Sequence, residues 1–192
     1  MMIRSYRALV TALIVTAVAA VAIVPRPVIA ASAGEIDRDA TAALKSLYAS
    51  QPSARVLAAK AKAVLIFPTV VKAGFMFGGQ VGEGAMRTGN LLNGGRTTGY
   101  YNLAAASYGL QAGVQSFSYA MFFMTDGALA ALNDTDGFEI GVGPSVVLVD
   151  QGLAKSMTTA TLTQDVYAFI FGQQGLMAGL GIQGSKITRL DK

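Results

Sequence analysis

Apolar and polar residues follow three different rhythms along this chain. Residues 8–24 form one apolar run without a charge, preceded by Arg4 and Arg7 and closed by Pro25-Arg26-Pro27. From residue 35 to residue 49 the apolar positions Ile36, Ala40, Ala43, Leu44 and Leu47 recur at helical spacing, which predicts an amphipathic helix. Glu35, Asp37 and Asp39 sit in its first turns, where the helix dipole favours carboxylates. Ser50-Gln51-Pro52 breaks the pattern, and a proline at the start predicts a second helix over residues 53–62. Its Val56, Leu57, Ala59 and Ala63 are expected to face inward, with Arg55, Lys60 and Lys62 toward solvent. Beyond Ala63 the rhythm shortens to that of strands, in β-branched and aromatic runs at 64–67, 74–77, 116–125 and 166–171. The last run is apolar on both alternating faces, which predicts a strand covered on both sides, and residues 125–132 read as a short helix between strands.

Glycine punctuates these strands at Gly78, Gly79, Gly82, Gly84, Gly109, Gly113, Gly179, Gly181 and Gly184. In strands, glycine permits bulges, sharp coiling and close backbone approach. The expected fold is therefore α+β: a strongly curved antiparallel β-sheet or small barrel, wrapped by N-terminal and inserted helices. The same glycines do not make a phosphate loop. Gly78-Gly79-Gln80-Val81-Gly82-Glu83-Gly84 lacks the dinucleotide fingerprint, no helical pattern follows it, and no Gly-Lys-Ser/Thr ends any glycine-rich stretch. No nucleotide and no nucleic acid partner is expected.

The apolar run at 8–24 has the form of an export signal, with small residues at Val28-Ile29-Ala30 and Ala31-Ser32-Ala33 for cleavage. Retained uncleaved, it would be at the short limit for a membrane anchor. The expected organisation is a signal peptide over 1–30 and a single domain over 31–192, exported and periplasmic or secreted, peripheral at a membrane surface. Removing 1–30 takes three of the fifteen basic residues and none of the eleven acidic ones, so the remainder is close to neutral. Its charges are unevenly spread. Between residues 52 and 125, Arg55, Lys60, Lys62, Lys72, Arg87 and Arg96 stand against Glu83 alone. Between 126 and 150 the charges are all acidic: Asp126, Asp134, Asp136, Glu139 and Asp150. Such a division can present one half to an anionic surface, or it can be a set of solvated residues scattered over the domain.

The chain has no cysteine, histidine or tryptophan. Thiol and imidazole chemistry, disulfides and soft-metal sites are excluded. Asn133-Asp134-Thr135-Asp136-Gly137 lacks the first and last ligands of a calcium loop and reads as a turn. Gly143-Pro144-Ser145-Val146-Val147 lacks the second glycine of a nucleophile elbow, and no histidine is present to activate the serine. No catalytic residue, metal or cofactor is expected.

Several blocks, in order, resemble the SYLF-domain family of lipid-binding proteins. Ala59-Lys60-Ala61-Lys62-Ala63-Val64-Leu65-Ile66-Phe67-Pro68, with Val71-Lys72-Ala73-Gly74-Phe75 and Gly78-Gly79, is similar to its opening signature. Residues 105–113 resemble its Gly-x-Gln core, Phe123-Met124-Thr125 and 128–132 its strand-then-helix block, and 167–169, 175–180 and Gly184-Ser185 its closing segment. The resemblance implies a non-catalytic domain that binds anionic membrane lipids. Lys60, Lys62 and Lys72 occupy the basic positions of the opening motif and are implied as headgroup contacts, with Arg55, Arg87 and Arg96 in support. An envelope protein or glycan partner of a structural domain is the alternative.

Overall fold

The computed structural model describes residues 31–133, 137–140, 144–150, 154, 162–175 and 185–192, and at 75–77 and 107–112 the backbone alone. The expected export segment at 1–30, the expected turn around Asp134 and Asp136, and most of the closing block at 176–184 lie outside the described residues. Ala31–Lys192 is one compact unit.

Helix α1 runs over Ala33–Ser50 and buries Ile36, Ala40, Leu44, Leu47 and Tyr48, the expected stripe with Ala43 only half-buried and one tyrosine added. Its start is a capping box: the Ser32 hydroxyl accepts from the Glu35 amide, and the Glu35 carboxylate accepts from the Ser32 amide at 2.8 Å. Hydrogen bonds from the Ser32 backbone and hydroxyl hold the Glu35 carboxyl below the usual carboxylate range. Helix α2 is shorter than expected, Pro52–Ala58, with Pro52 in its first turn. It buries Ser53, Ala54, Leu57 and Ala58, whereas Val56 is only half-buried, Ala59 is exposed and Ala63 belongs to the following strand. The reason is local: the Lys62 amide donates to the Phe123 carbonyl at 2.8 Å, which draws the chain into the sheet before the helix can continue.

Two long strands form the centre of the sheet. β1 (Ala63–Thr88) and β2 (Arg96–Phe123) make one antiparallel ribbon joined through a 3-10 turn, Leu91–Asn93. The runs at 64–67 and 74–77 are thus parts of a single strand, interrupted by register shifts between Phe67 and Val70 and between Phe75 and Phe77. Such bulges bend a strand and increase its twist. The free edge of β2 carries β6 (Lys186–Leu190) opposite Tyr100 to Ala104 and β5 (Val166–Gly175) opposite Gln115 to Phe123. β3 (Phe138–Glu139) adds beyond β6, and β4 (Val146–Leu148) beyond β5. The β4–β5 pair is parallel where the expectation was antiparallel, and residues 149–165 supply the length that a crossover requires. The result is an α+β fold with a strongly curved sheet, as expected.

The curl brings β1 back onto itself. A side chain at Gly84 would lie 2.5 Å from the Ile66 carbonyl oxygen and 2.6 Å from Cδ1 of Phe67, and one at Gly82 would lie 2.9 Å from the Thr69 carbonyl oxygen. Glycine is required where one stretch of the strand crosses the backbone of another.

Alternation then sends neighbouring residues into two apolar layers. Val64, Ile66, Ala120, Phe122, Tyr167 and Phe169 pack under α1 and α2. Leu65, Phe67, Tyr119, Met121, Phe123, Val166 and Ala168 fill the inside of the curl with Leu132 of α3 (Asp126–Leu132). The apolar run at 166–171 is indeed covered on both faces. Thr125 caps α3 by accepting from the Ala128 amide, and its hydroxyl donates to Asp165, which also accepts from the amide and hydroxyl of Ser145. These bonds, the Thr125 hydroxyl first, hold the Asp165 carboxyl below its ordinary value. A depressed folded-state value stabilises the fold above the ordinary carboxylate pKa, and this contribution is lost as pH falls through the lowered value. Asp165→Asn should therefore flatten the loss of stability on acidification below about pH 4, measured by urea titration at stepped pH. An unchanged acid limb would contradict this role.

Candidate functional site: a basic cavity and a basic surface

Besides its apolar seat, α1 is tied to the end of the β1–β2 ribbon through a carboxylate. Asp37 on α1 accepts hydrogen bonds from the hydroxyls of Thr97 (2.6 Å) and Tyr100 (3.0 Å) on β2. It also pairs with Arg87 on β1 at 3.3 Å. The Arg87 guanidinium further donates to the Asp37 carbonyl at 2.8 Å and the Thr41 hydroxyl at 3.1 Å. Burial, then the bond to Asp37 and its charge, push the Tyr100 phenol upward. This network forms one wall of an open cavity of about 710 Å3, which Arg96, Thr98, Gly99, Arg189, Asp191 and Lys192 complete. Lys192 is bound to Glu83 at 3.0 Å and also donates to the Ala31 carbonyl.

The six cations implied by the family resemblance do not form one patch. Arg55 is exposed on α2, and its Nε donates to the Tyr48 carbonyl at 3.2 Å. Lys60 and Lys62 lie just beyond α2, both exposed, and Lys62 pairs with Asp126 at 2.8 Å. That pair joins the basic and acidic stretches of the sequence, and at such exposure it contributes little stability. Lys72 is elsewhere: it is only 3% exposed, on the inward side of β1, where alternation puts it when Val71 faces out. It is withdrawn from any surface contact. Arg87 is occupied in the α1 clamp, and Arg96 lines the cavity.

Asp37, Tyr100, Arg189 and Lys192 are the members that sequence reasoning missed. Asp37 reads as a first-turn helix carboxylate. The registry that sets Arg189 opposite Tyr101 joins positions far apart in the chain, with no local signal.

Together these elements make a curled sheet clasped by helices, with cations and hydroxyls gathered around an open cavity. Residues 104–192 match the family model described as Ysc84, Las17-binding protein actin regulator, a SYLF domain. The resemblance in the central and closing blocks therefore holds. The matched family is one of binding domains rather than a known enzyme family. The match takes in most of β2 and every later element, with Arg189 and Lys192, while Arg55, Lys60, Lys62, Lys72, Arg87 and Arg96 precede it. No curated protein matches the chain.

Proposed function

We propose that the protein is a non-catalytic, peripheral lipid-binding domain of the bacterial cell envelope that engages anionic phospholipid headgroups. One observation carries the reading. In the middle of the β1–β2 ribbon the usual pattern is inverted, with Val71, Val81 and Val114 exposed at 41, 59 and 62% while their chain neighbours Lys72, Gln80 and Gln115 are at most 6% exposed. Val114 pairs with Ala73, two residues along β1 from Val71, so Val71 and Val114 share one face. Among the described side chains, Ala73, Gly79 and Ala106 are the other exposed positions of this stretch, and none of these is polar. An apolar outer face over a polar inner one is the arrangement of strands that meet hydrocarbon, and it is unfavourable against water. Arg55, Lys60 and Lys62 supply the attraction to anionic headgroups, each worth about 1 kcal/mol near a charged leaflet. The apolar leader at 1–30 supports an envelope location, where phosphatidylglycerol, cardiolipin and lipopolysaccharide are the available anions.

The unit Ala31–Lys192 should co-sediment with phosphatidylglycerol vesicles and not with phosphatidylcholine vesicles. Added salt should weaken binding by screening the lysines. Reversing Arg55, Lys60 and Lys62 to glutamate should reduce the affinity about 100-fold or more at low salt. Val71→Ser, Val81→Ser and Val114→Ser together should remove what binding persists at high salt. Indifference to vesicle charge would end this reading in favour of an envelope protein partner.

A further inference from the structure

The cavity at the end of the ribbon has a chemistry of its own, independent of the valine face and of Arg55, Lys60 and Lys62. We infer that it is a binding site for a small phosphomonoester, with Arg96 and Arg189 as the two groups that grip the phosphoryl oxygens.

The charges sort themselves in that direction. Of the four cations lining the cavity, Arg87 is bound to Asp37 and Lys192 to Glu83. Arg96 and Arg189 have no carboxylate within 4 Å among the described residues, although Asp191 lies in the same wall. Asp37, the other carboxylate present, already accepts from Thr97, Tyr100 and Arg87, so both of its oxygens are engaged. Two guanidiniums, each a planar fork of donors, fit the oxygens of a phosphate better than point charges do. The Thr98 hydroxyl, exposed on the same strand, adds a neutral donor.

Gly99 makes the approach possible. A side chain there would sit 3.2 Å from the Tyr101 ring and 3.6 Å from the Arg189 guanidinium carbon. Its absence lets that guanidinium lie over bare β2 backbone beside the cavity. The Arg87–Asp37–Thr97–Tyr100 network fixes its part of the lining before any ligand arrives, which lowers the ordering cost of binding. At about 710 Å3 the space exceeds what a bare phosphate occupies and lies within the range of small-molecule sites. The ligand is therefore a phosphate carried on an organic body, either a soluble phosphomonoester or a lipid headgroup with a terminal phosphate.

The test is calorimetric titration of the purified protein with glycerol 3-phosphate and, separately, inorganic phosphate. Saturable binding of glycerol 3-phosphate, tighter than of inorganic phosphate, is expected. Arg96→Gln combined with Arg189→Gln should weaken it at least tenfold with the thermal unfolding midpoint unchanged, since both side chains are exposed and make no internal ion pair among the described residues. Arg55→Gln with Lys60→Gln should leave it intact. Vesicles containing phosphatidic acid then identify the source: competition with glycerol 3-phosphate assigns the site to a headgroup, and no competition to a soluble ligand. Failure of both probes to bind the unaltered protein, or equal binding by the Arg96/Arg189 double variant, overturns the site without touching the lipid-surface proposal.

Discussion

Gly84→Ala is expected to lower the unfolding free energy by about 3 kcal/mol, at the upper end of the usual cost of overpacking. The new methyl group would meet the Ile66 carbonyl oxygen at 2.5 Å and the Phe67 ring at 2.6 Å. A side chain can turn away from such a contact, but a carbonyl held in a ladder cannot. Phe67 is itself confined: it is buried and stacked on Tyr119 with ring centroids 6.3 Å apart. Relief must come from separating the two crossing stretches of β1, which loosens the curl that both apolar layers depend on. Urea unfolding reads the effect as a lower midpoint with an unchanged slope. Gly34→Ala is the control, because a side chain there meets nothing within 4 Å, and it should hold stability or raise it by up to about 1 kcal/mol. Equal midpoints for Gly84→Ala and the parent would mean that the strand does not cross itself as described.

That crossing also marks how far the sequence can be read. The stripe from Ile36 to Leu47 declares α1 because each apolar residue recurs within the helix itself, and the doubly apolar run at 166–171 declares a strand between two layers. Glycine spacing announces curvature. What it cannot announce is that the runs at 64–67 and 74–77 belong to one strand, since the bulges between them break the two-residue alternation on which the reading rests. The end of α2 is hidden for a related reason: the bond from the Lys62 amide to Phe123 joins residues far apart in the chain.

The charged residues were legible by kind and not by place. Lys72 sits in a basic stretch of sequence, yet its neighbours Val71 and Ala73 take the outer face and leave it the inner one. Arg87 and Arg96 are close in sequence and part ways in use, one locked to α1 and the other on the cavity wall. Arg189 reaches that wall only through β6. A site assembled from α1, the end of a hairpin and the last strand has no contiguous motif, so composition reveals its ingredients and only the registry reveals the site.

The outer apolar layer offers the second large effect. Phe122→Ala should cost about 4 kcal/mol, the transfer of the ring plus the cavity left behind. Phe122 is fully buried and meets Phe169 edge to face, at 5.7 Å between centroids and an interplanar angle of 81°. Its layer is also the floor on which α1 and α2 rest through Leu44, Leu47 and Leu57. Domains of this size are stable by roughly 5 to 15 kcal/mol, so the variant should remain folded with a sharply lowered urea midpoint. The loss should not be uniform. Amides of α1 should gain hydrogen exchange more than those of β1 and β2, because the ladder between the strands survives the truncation while the helix loses its seat. Asp37 rides on that helix, so the Arg87 clamp and the cavity beside it should loosen in the same variant. Phe122→Leu, which restores most of the volume, should recover most of the stability and the protection of α1. Exchange rising equally in helix and sheet would instead mean that the outer layer and the ribbon unfold as one unit.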